Sequence, residues 1–307
     1  MRSVREMGAE QLRVTFHGVR GSTPCHGPAT AKYGGNTSCV SVQADGQRPL
    51  LLDLGTGLRY FGKQFVEKDA PVNAVALVTH LHWDHIQGLP FFAPVLKPEA
   101  RLEMFGPAQE DGTSFMESVK SIVRPPTFPV DLSGLQGRFS FHDVADNDFA
   151  IDGYSIKSRL VPHIGPTVGY RIEFGDVAIA YISDHQQPLD GSFSIADGVR
   201  ELVDGVDLLI HDAQYTPAEF VTKAHWGHCT TEFAVGVAMS CRAKRLALFH
   251  HDPERTDAEL DATKACSDSS GVEVFVAREG ATINLCPVGS NLNPCLHLLI
   301  LLSFAPY

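Results

Sequence analysis

The chain has 307 residues, of which 44% are hydrophobic and 20% are charged, so a packed globular interior is expected and wholesale disorder is excluded. This length favours one large domain with appendages. The formal net charge of −11 repels polyanions. Since no dense Lys/Arg run is interleaved with aromatic residues, no stable complex with nucleic acid is expected.

The seven cysteines are scattered and form no C-x-x-C pair, which argues against a disulfide framework and favours a cytoplasmic location. No signal peptide is expected, because no long apolar stretch follows the first charged residues. We predict a single catalytic domain at 1–285 and an uncharged apolar tail at 286–307, which is too short for a comfortable membrane span. The tail would cover a sheet edge, join a homodimer interface or extend from the domain.

Apolar runs of strand length recur along the chain, separated by Gly, Pro and Asp. Before residue 113, strands are predicted at 12–19, 38–44, 49–55 and 73–80. From residue 113 to residue 184, the pattern predicts an amphipathic helix at 113–123, strands at 137–144, 149–151 and 154–161, and a hairpin at 168–184. Beyond residue 190, it predicts helices at 196–203, 230–243 and 256–266, and strands at 206–213, 245–252, 272–277 and 281–285. Such blocks indicate two sheets between helices, in the α+β or mixed α/β class.

The segment LVTHLHWDHIQG, residues 77–88, carries four residues that could bind metal directly after an apolar run: His80, His82, Asp84 and His85. H-x-H alone is expected by chance, but four such residues within six positions are not. Imidazole and carboxylate are the donors that suit zinc-like ions. Because a turn after a strand sends alternate side chains to different sides, the first two histidines can hold one ion and Asp84 with His85 a second.

Two ions need further ligands, and three candidates each follow another apolar run: His163, Asp184 and His250. Any one of them alone is better explained as a cap or a loop residue. Together they complete two metal shells. The sequence therefore predicts a binuclear metal site.

The order H-x-H-x-D-H, His, Asp, His resembles the metallo-β-lactamase superfamily over roughly residues 12–285. The resemblance implies an α/β (α+β) fold, a four-layer αββα sandwich of two mixed β-sheets flanked by helices. It also implies two divalent metal ions, Zn²⁺ or alternatively Mn²⁺, at one edge of the sheets. The implied ligands are His80, His82 and His163 for the first ion and Asp84, His85 and His250 for the second, with Asp184 bridging both.

The segments GVRGSTP, YGGNTSCVSV, LLDLGTGL, LLIHDAQY, GHCTTEFA and LALFHH are similar to the phosphodiesterase branch, which includes RNase Z and the cyclic-phosphate phosphodiesterases. True β-lactamases carry a cysteine where Asp184 stands, which disfavours antibiotic hydrolysis. RNase Z usually has Glu where Asp212 stands, so the reach of this carboxylate differs.

A hydroxide shared by two divalent ions is available near neutral pH, and the same ions neutralise a phosphodiester. The predicted catalytic residues are His228, Asp84 and Asp212. His228 resembles the histidine of RNase Z-like enzymes near the scissile phosphate and is the candidate general acid; a helix-entry histidine is the equally weighted alternative. Asp53 and Asp212, each ending an apolar run, are predicted to orient ligand imidazoles.

We therefore predict a metal-dependent hydrolase, a phosphodiesterase for a small or cyclic phosphodiester. Only 20 residues separate His163 from Asp184, so the tRNA-binding arm of bacterial RNase Z has no room there. The alternatives are an ester, thioester or lactone hydrolase, an RNase Z-like RNA phosphodiesterase without the arm, and a non-catalytic binding module. Phe91 and Phe92 would stack a base or belong to the core, and the core is favoured.

Overall fold

The computed structural model describes residues 11–267 and 271–286. In chain order, its strands are β1 (Leu12–Gly18), β2 (Cys39–Ala44), β3 (Leu50–Leu52), β4 (Asn73–Leu77), β5 (Arg101–Gly106), β6 (Arg138–Asp143), β7 (Asn147–Ile151), β8 (Tyr154–Leu160), β9 (Val168–Phe174), β10 (Val177–Ile182), β11 (Leu208–Asp212), β12 (Arg245–Phe249), β13 (Glu273–Val276) and β14 (Thr282–Leu285). The α-helices are α1 (Leu58–Glu67), α2 (Trp83–Ile86), α3 (Phe115–Ile122), α4 (Asp197–Val203), α5 (Pro217–Lys223), α6 (Thr231–Ser240) and α7 (Asp257–Ser267).

The strands form two seven-stranded sheets that are both mixed. The first sheet has the order β14-β1-β2-β3-β4-β5-β6, and the second has the order β13-β12-β11-β10-β9-β8-β7. Strands β3 to β6 are parallel to one another, as are β10 to β13, and the remaining neighbours are antiparallel. In sheets of this kind, ligand sites form beyond the carboxyl ends of the parallel strands.

Three apolar clusters separate four layers. The central cluster lies between the sheets, where alternate residues of β1 such as Val14 and Phe16 face Tyr170 and Tyr181 of the second sheet. A second cluster packs α4 and α6 on the outer face of the second sheet, and a third packs α1 and α3 on the first. The predicted αββα sandwich is therefore confirmed.

Four elements were absent from the sequence prediction, and one of them is the short helix α2, where only a turn was expected. Helix α1 and strand β5 belong to the first half of the chain, and α5 precedes the segment that carries His228. The α1 pattern is interrupted by Gly62, which weakens helix propensity. Gly62 is required because a Cβ there would meet the ring of Phe92 at 2.8 Å.

Two local predictions have mixed outcomes. Thr256 and Glu259 form a capping box at the start of α7, where the sequence predicts a helix. Phe92 is buried in the core as favoured, but Phe91 is 66% exposed, so the core interpretation is wrong for that residue. None of the described helices is long and apolar enough to cross a membrane. Residues 287–307 of the predicted tail lie outside the described residues, and the division of the chain at residue 285 stays a prediction.

Candidate metal centre

The seven candidate ligands come from both sheets and meet at one edge of the sandwich. The first sheet contributes four ligands after β4, namely His80 and His82 in the connecting turn and Asp84 and His85 in α2. The second sheet contributes His163 after β8, Asp184 after β10 and His250 directly after β12. Four overlapping groups within this set and His228 have all their ligand atoms within 4.8 Å of one another.

The first group of ligand atoms is formed by three imidazoles. Nδ1 of His82 lies 2.9 Å from Nε2 of His80 and 3.2 Å from Nε2 of His163. Oδ2 of Asp184 lies 3.9 Å from the first of these Nε2 atoms and 3.8 Å from the second. Three imidazole nitrogens therefore lie at the spacing of metal ligands, and Asp184 lies beside two of them.

The second group is formed around Asp84. Its Oδ2 atom lies 3.1 Å from Nε2 of His85 and 3.0 Å from Nε2 of His250, and these two nitrogens are 3.2 Å apart. Oδ1 of Asp184 lies 3.1 Å from Nε2 of His85, and its Oδ2 lies 3.5 Å from Nε2 of His250. Asp184 thus stands between the two groups.

These residues fit divalent ions in their spacing. Tetrahedral zinc with bonds of about 2.0–2.1 Å separates its ligand atoms by about 3.3 Å. The distances within the two groups fall on either side of that value. Oδ1 of Asp184 is buried and makes no hydrogen bond within the described part of the chain, so it is a polar atom that a cation would satisfy.

The imidazoles are oriented by groups behind them. His163 Nδ1 donates to the Gly227 carbonyl at 2.6 Å, and His250 Nδ1 donates to Gln214 Oε1 at 2.9 Å. Since these oxygens only accept hydrogen bonds, Nδ1 carries the proton and the Nε2 lone pair points into the cluster. Lone pairs that face one another at such distances repel unless a cation lies between them.

Asp53 is fully buried and fixes His85. Its Oδ2 accepts from His85 Nδ1 at 2.8 Å and from the Tyr181 hydroxyl at 2.8 Å. The Thr79 amide donates to Oδ1 at 2.7 Å, and the Thr79 hydroxyl also donates to this carboxylate. That hydroxyl lies 3.1 Å from His80 Nδ1 and can accept its proton, so Asp53 supports both metal groups. Asp53 lies where the sequence predicted a carboxylate that orients ligands.

Burial keeps part of the cluster in the form that binds metal. It lowers the pKa of His80 well below its usual value and that of His163 to about 4, so both imidazoles are neutral at pH 7. Burial also lowers the pKa of His85, but the carboxylates of Asp84 and Asp184 outweigh it, and the pKa lies well above its usual value. The second group therefore attracts positive charge.

The pKa of Asp184 also favours the ionised form that binds metal. Burial raises the pKa of Asp184, but His250 and His85 outweigh it and hold the pKa well below its usual value. Within the described part of the chain, neither Asp84 nor Asp184 pairs with Lys or Arg. Two buried carboxylates without such partners favour a bound cation.

Backbone conformation at the site is specialised. Asp53 and His250 both have positive φ, at 60° and 58°, which is uncommon for residues other than glycine. Gly21 is forced by space, because a Cβ there would stand 2.4 Å from His250 Nδ1. Ser22, the next residue, donates its backbone N–H to Asp84 Oδ2 at 2.8 Å. The GVRGSTP loop therefore lies against the cluster.

His228 and Asp212 form a pair beside the cluster. His228 Nδ1 donates to Asp212 Oδ2 at 3.0 Å and lies 3.7 Å from Asp184 Oδ2. Asp212 is fully buried and also accepts from the backbone N–H groups of His185 and Gln214. The two backbone N–H groups hold the Asp212 carboxylate in place, and this carboxylate in turn orients the His228 ring. Nε2 of His228 is then the ring nitrogen that can exchange a proton.

Several orienting groups were missed from the sequence. Thr79 precedes His80, Gln214 follows Asp212 by two residues, and Gly227 precedes His228. Gly227 has φ of 91°, and a Cβ on it would stand 2.5 Å from the His163 ring. Their only signal was proximity to a predicted site residue, and Gln214 and Gly227 act on ligands that are distant in sequence.

This two-sheet sandwich, with a His/Asp cluster at one edge, is the architecture of the metallo-β-lactamase fold. The sequence profile described as "Beta-lactamase superfamily domain" matches residues 48–251, and the chain belongs to that superfamily. Ribonuclease Z of Natronomonas pharaonis is 26% identical, over 89% of this chain and 98% of its own.

Solved structures agree on the fold. The metallo-beta-lactamase fold protein YhfI from Bacillus subtilis superposes with a TM-score of 0.67 at 20% identity, covering 90% of this chain and 100% of its own. A diphosphatase from the PhnP family has a TM-score of 0.63 at 21% identity, covering 89% and 97%. The predicted superfamily and metal-dependent hydrolase class are confirmed, and the His and Asp groups of the cluster are able to bind divalent metal ions.

Proposed function

We propose that the protein is a phosphodiesterase with two metal ions, acting on a small or cyclic phosphodiester. The convergence of six ligand side chains on the seventh, Asp184, with the His228–Asp212 pair beside them, carries the proposal. The proposed ligands are His80, His82 and His163 for one ion and Asp84, His85 and His250 for the other, with Asp184 shared. Zn²⁺ suits these donors best, and Mn²⁺ is the alternative.

Bound divalent ions supply Lewis acidity and lower the pKa of a water molecule. The chain's own residues do the rest. Asp53 and Gln214 hold the His85 and His250 rings so that their lone pairs face the reaction centre. His228, with Nδ1 held by Asp212, is placed to give a proton from Nε2 to the departing alkoxide. Asp212 stabilises the charged ring before the proton leaves.

A small substrate is favoured by the segment between His163 and Asp184. Apart from short turns, it holds only the β9–β10 hairpin, so no arm for a folded RNA extends from it. The net charge of −11 also disfavours the binding of a polyanion such as RNA. An RNA phosphodiesterase is the second candidate, because relatives in several organisms are named Ribonuclease Z.

Parallel assays test the proposal. Purified protein should contain about two metals per chain, lose activity with a strong chelator and regain it with Zn²⁺ or Mn²⁺. It should hydrolyse bis(p-nitrophenyl) phosphate or a cyclic nucleotide faster than a thioester or lactone. Asp184→Ala should remove metal and turnover, whereas Asp176→Ala, in the exposed turn between β9 and β10, should change neither.

Each contrary outcome has its own meaning. Hydrolysis of the thioester alone would replace the phosphodiesterase with the carboxylic ester alternative. Cleavage of a tRNA 3′ extension in preference to every small diester would favour the RNA enzyme. Full metal occupancy without turnover of any substrate would favour the alternative that the protein is a non-catalytic binding module.

A further inference from the structure

A cleft of about 610 Å³ opens beside the metal centre, formed by α2, the turn after it and the segment that follows α3. Such a volume is in the range of small-molecule sites. We call it the aromatic cleft, and the residues that matter here are Arg59, Trp83, Gln87, Phe91, Ile122 and Phe128.

The aromatic cleft shares two walls with the metal centre. Helix α2 turns Asp84 and His85 inward to the ligand cluster, while Trp83 of the same helix lines the cleft and is 57% exposed. On the opposite wall, Ser22 donates to Asp84, and Pro24, two residues on, lines the cleft. The cleft and the ligand cluster are therefore neighbours that share α2 and the segment from Ser22 to Pro24.

The lining is apolar and aromatic, and two of its rings, Trp83 and Phe91, are more than half exposed. Phe91 is 66% exposed and meets Phe128 edge to face, with ring centroids 5.8 Å apart. With Trp83, these rings offer faces and edges to a flat partner. Exposed aromatic side chains that cluster around a concave surface are typical of a ligand-binding site.

One cation completes the cleft. Arg59 lies on the exposed face of α1 and lines the cleft, and it forms no ion pair with any described residue. Lys63, one turn along the same helix, pairs instead with Glu67 at 3.8 Å and does not line the cleft. An unpaired guanidinium beside aromatic rings complements an anionic group attached to an aromatic ligand.

We propose that the aromatic cleft binds an aromatic substituent of the phosphodiester, such as a nucleobase or phenyl ring, and that Arg59 contacts an anionic group on that substituent. The inference rests on the proposed phosphodiesterase function and names the class of diester that this site prefers. The metal centre acts on the scissile phosphate, while the cleft sets substrate affinity.

The first test compares bis(p-nitrophenyl) phosphate with methyl p-nitrophenyl phosphate, which share a leaving group and differ in the second substituent. Phe91→Ala should raise KM for the aromatic diester by about fivefold, the equivalent of one aromatic contact, and leave kcat unchanged. It should leave the methyl diester unaffected. Trp83→Leu should act in the same way with an unchanged metal content, and Tyr60→Ala, on α1 outside the cleft lining, should change nothing.

The second test addresses Arg59. Thymidine 5′-(p-nitrophenyl phosphate) is compared with its 3′-phosphorylated form, which carries an additional phosphate. Arg59→Gln should raise KM for the phosphorylated form by about tenfold, because a charge-assisted contact is lost, and affect the other form little. Lys63→Gln is the matched control and should leave both KM values unchanged.

The two levels of the hypothesis fail differently. Hydrolysis of neither nitrophenyl diester would reject the phosphodiesterase. Hydrolysis of both, with Phe91→Ala and Trp83→Leu changing the two KM values equally or not at all, would reject the cleft while retaining the enzyme. Equal KM values for Arg59→Gln and the unchanged protein on the 3′-phosphorylated substrate would remove the anionic contact from the proposal.

Discussion

Replacing Asp53 by Asn tests whether the metal centre depends on a buried carboxylate that is not itself a proposed ligand. Asn preserves the volume of the side chain and tolerates the positive φ of this position better than most residues. It nevertheless leaves one acceptor oxygen where Asp53 has two. The change therefore isolates hydrogen bonding from packing and backbone strain.

The magnitude follows from the donors around Asp53. Oδ2 accepts from His85 Nδ1 and the Tyr181 hydroxyl, and Oδ1 accepts from the Thr79 amide. If the amide NH₂ takes the Oδ2 position, two buried donors lose their acceptor, at a cost of about 2–6 kcal/mol in the free energy of unfolding. Loss of a carboxylate behind a metal-bound histidine typically weakens metal affinity about 10- to 100-fold.

The assay is a zinc titration against a competing chromophoric chelator, run alongside urea unfolding of the metal-free protein. Asp53→Asn should weaken the binding of one ion more than the other, because His85 is the proposed ligand that donates to this carboxylate, whereas His80 is reached only through Thr79. Asp152→Asn, which changes a carboxylate paired with Arg48 elsewhere on the surface, is the control. Unchanged affinity for both ions in the Asp53 variant would refute the claim that this carboxylate sets the His85 ring.

Three further changes test other parts of the structure. His228→Gln should lower kcat by about 10²–10⁴-fold while metal analysis still finds two ions; a loss of metal would refute its role as general acid. Gly227→Ala should cost about 1–2 kcal/mol of unfolding free energy from its positive φ, and zinc titration should show weaker binding at the His163 group. Burial lowers the pKa of His17 to about 4, so the unfolded chain binds more protons between pH 4 and 6.5, and stability falls as the pH falls through that window. Urea unfolding at pH 6.5 and 5 should show His17→Gln losing less stability than the unchanged protein, by up to about 1.4 kcal/mol per pH unit; equal losses would contradict the assignment.

The sequence predicted the fold well because its core pattern is strong. Strands such as β10 are apolar at every position, which indicates burial on both faces, whereas β1 alternates and indicates one buried face. Strand β5 was missed because Arg101 and Glu103 interrupt its apolar residues, and only its position between β4 and β6 makes it a strand. Pairing with the two neighbouring strands therefore makes this segment a strand, although its local sequence does not favour one.

The candidate site was predicted unevenly for a similar reason. Ligands that follow apolar runs could be found, because the ends of strands in one sheet lie near each other. The groups that orient them could not. Gln214 contacts His250, 36 residues away in sequence, and Gly227 contacts His163, 64 residues away. Contacts between residues so far apart cannot be predicted from the periodicity of the sequence. The aromatic cleft was also hidden, since Phe91 and Phe92 are neighbours with opposite burial.

The origin of the ligands on two sheets has a mechanical consequence. Residues before 144 contribute four of the seven donors, and residues after it contribute three. With the proposed ligand assignment, two bound metal ions would connect the two sheets, so that separation of the sheets and release of the ions would occur together. At free metal about 100 times its Kd, each ion adds about 2.7 kcal/mol to the resistance of the closed sandwich. Neither half of the polypeptide, made separately, would carry a complete set of donors.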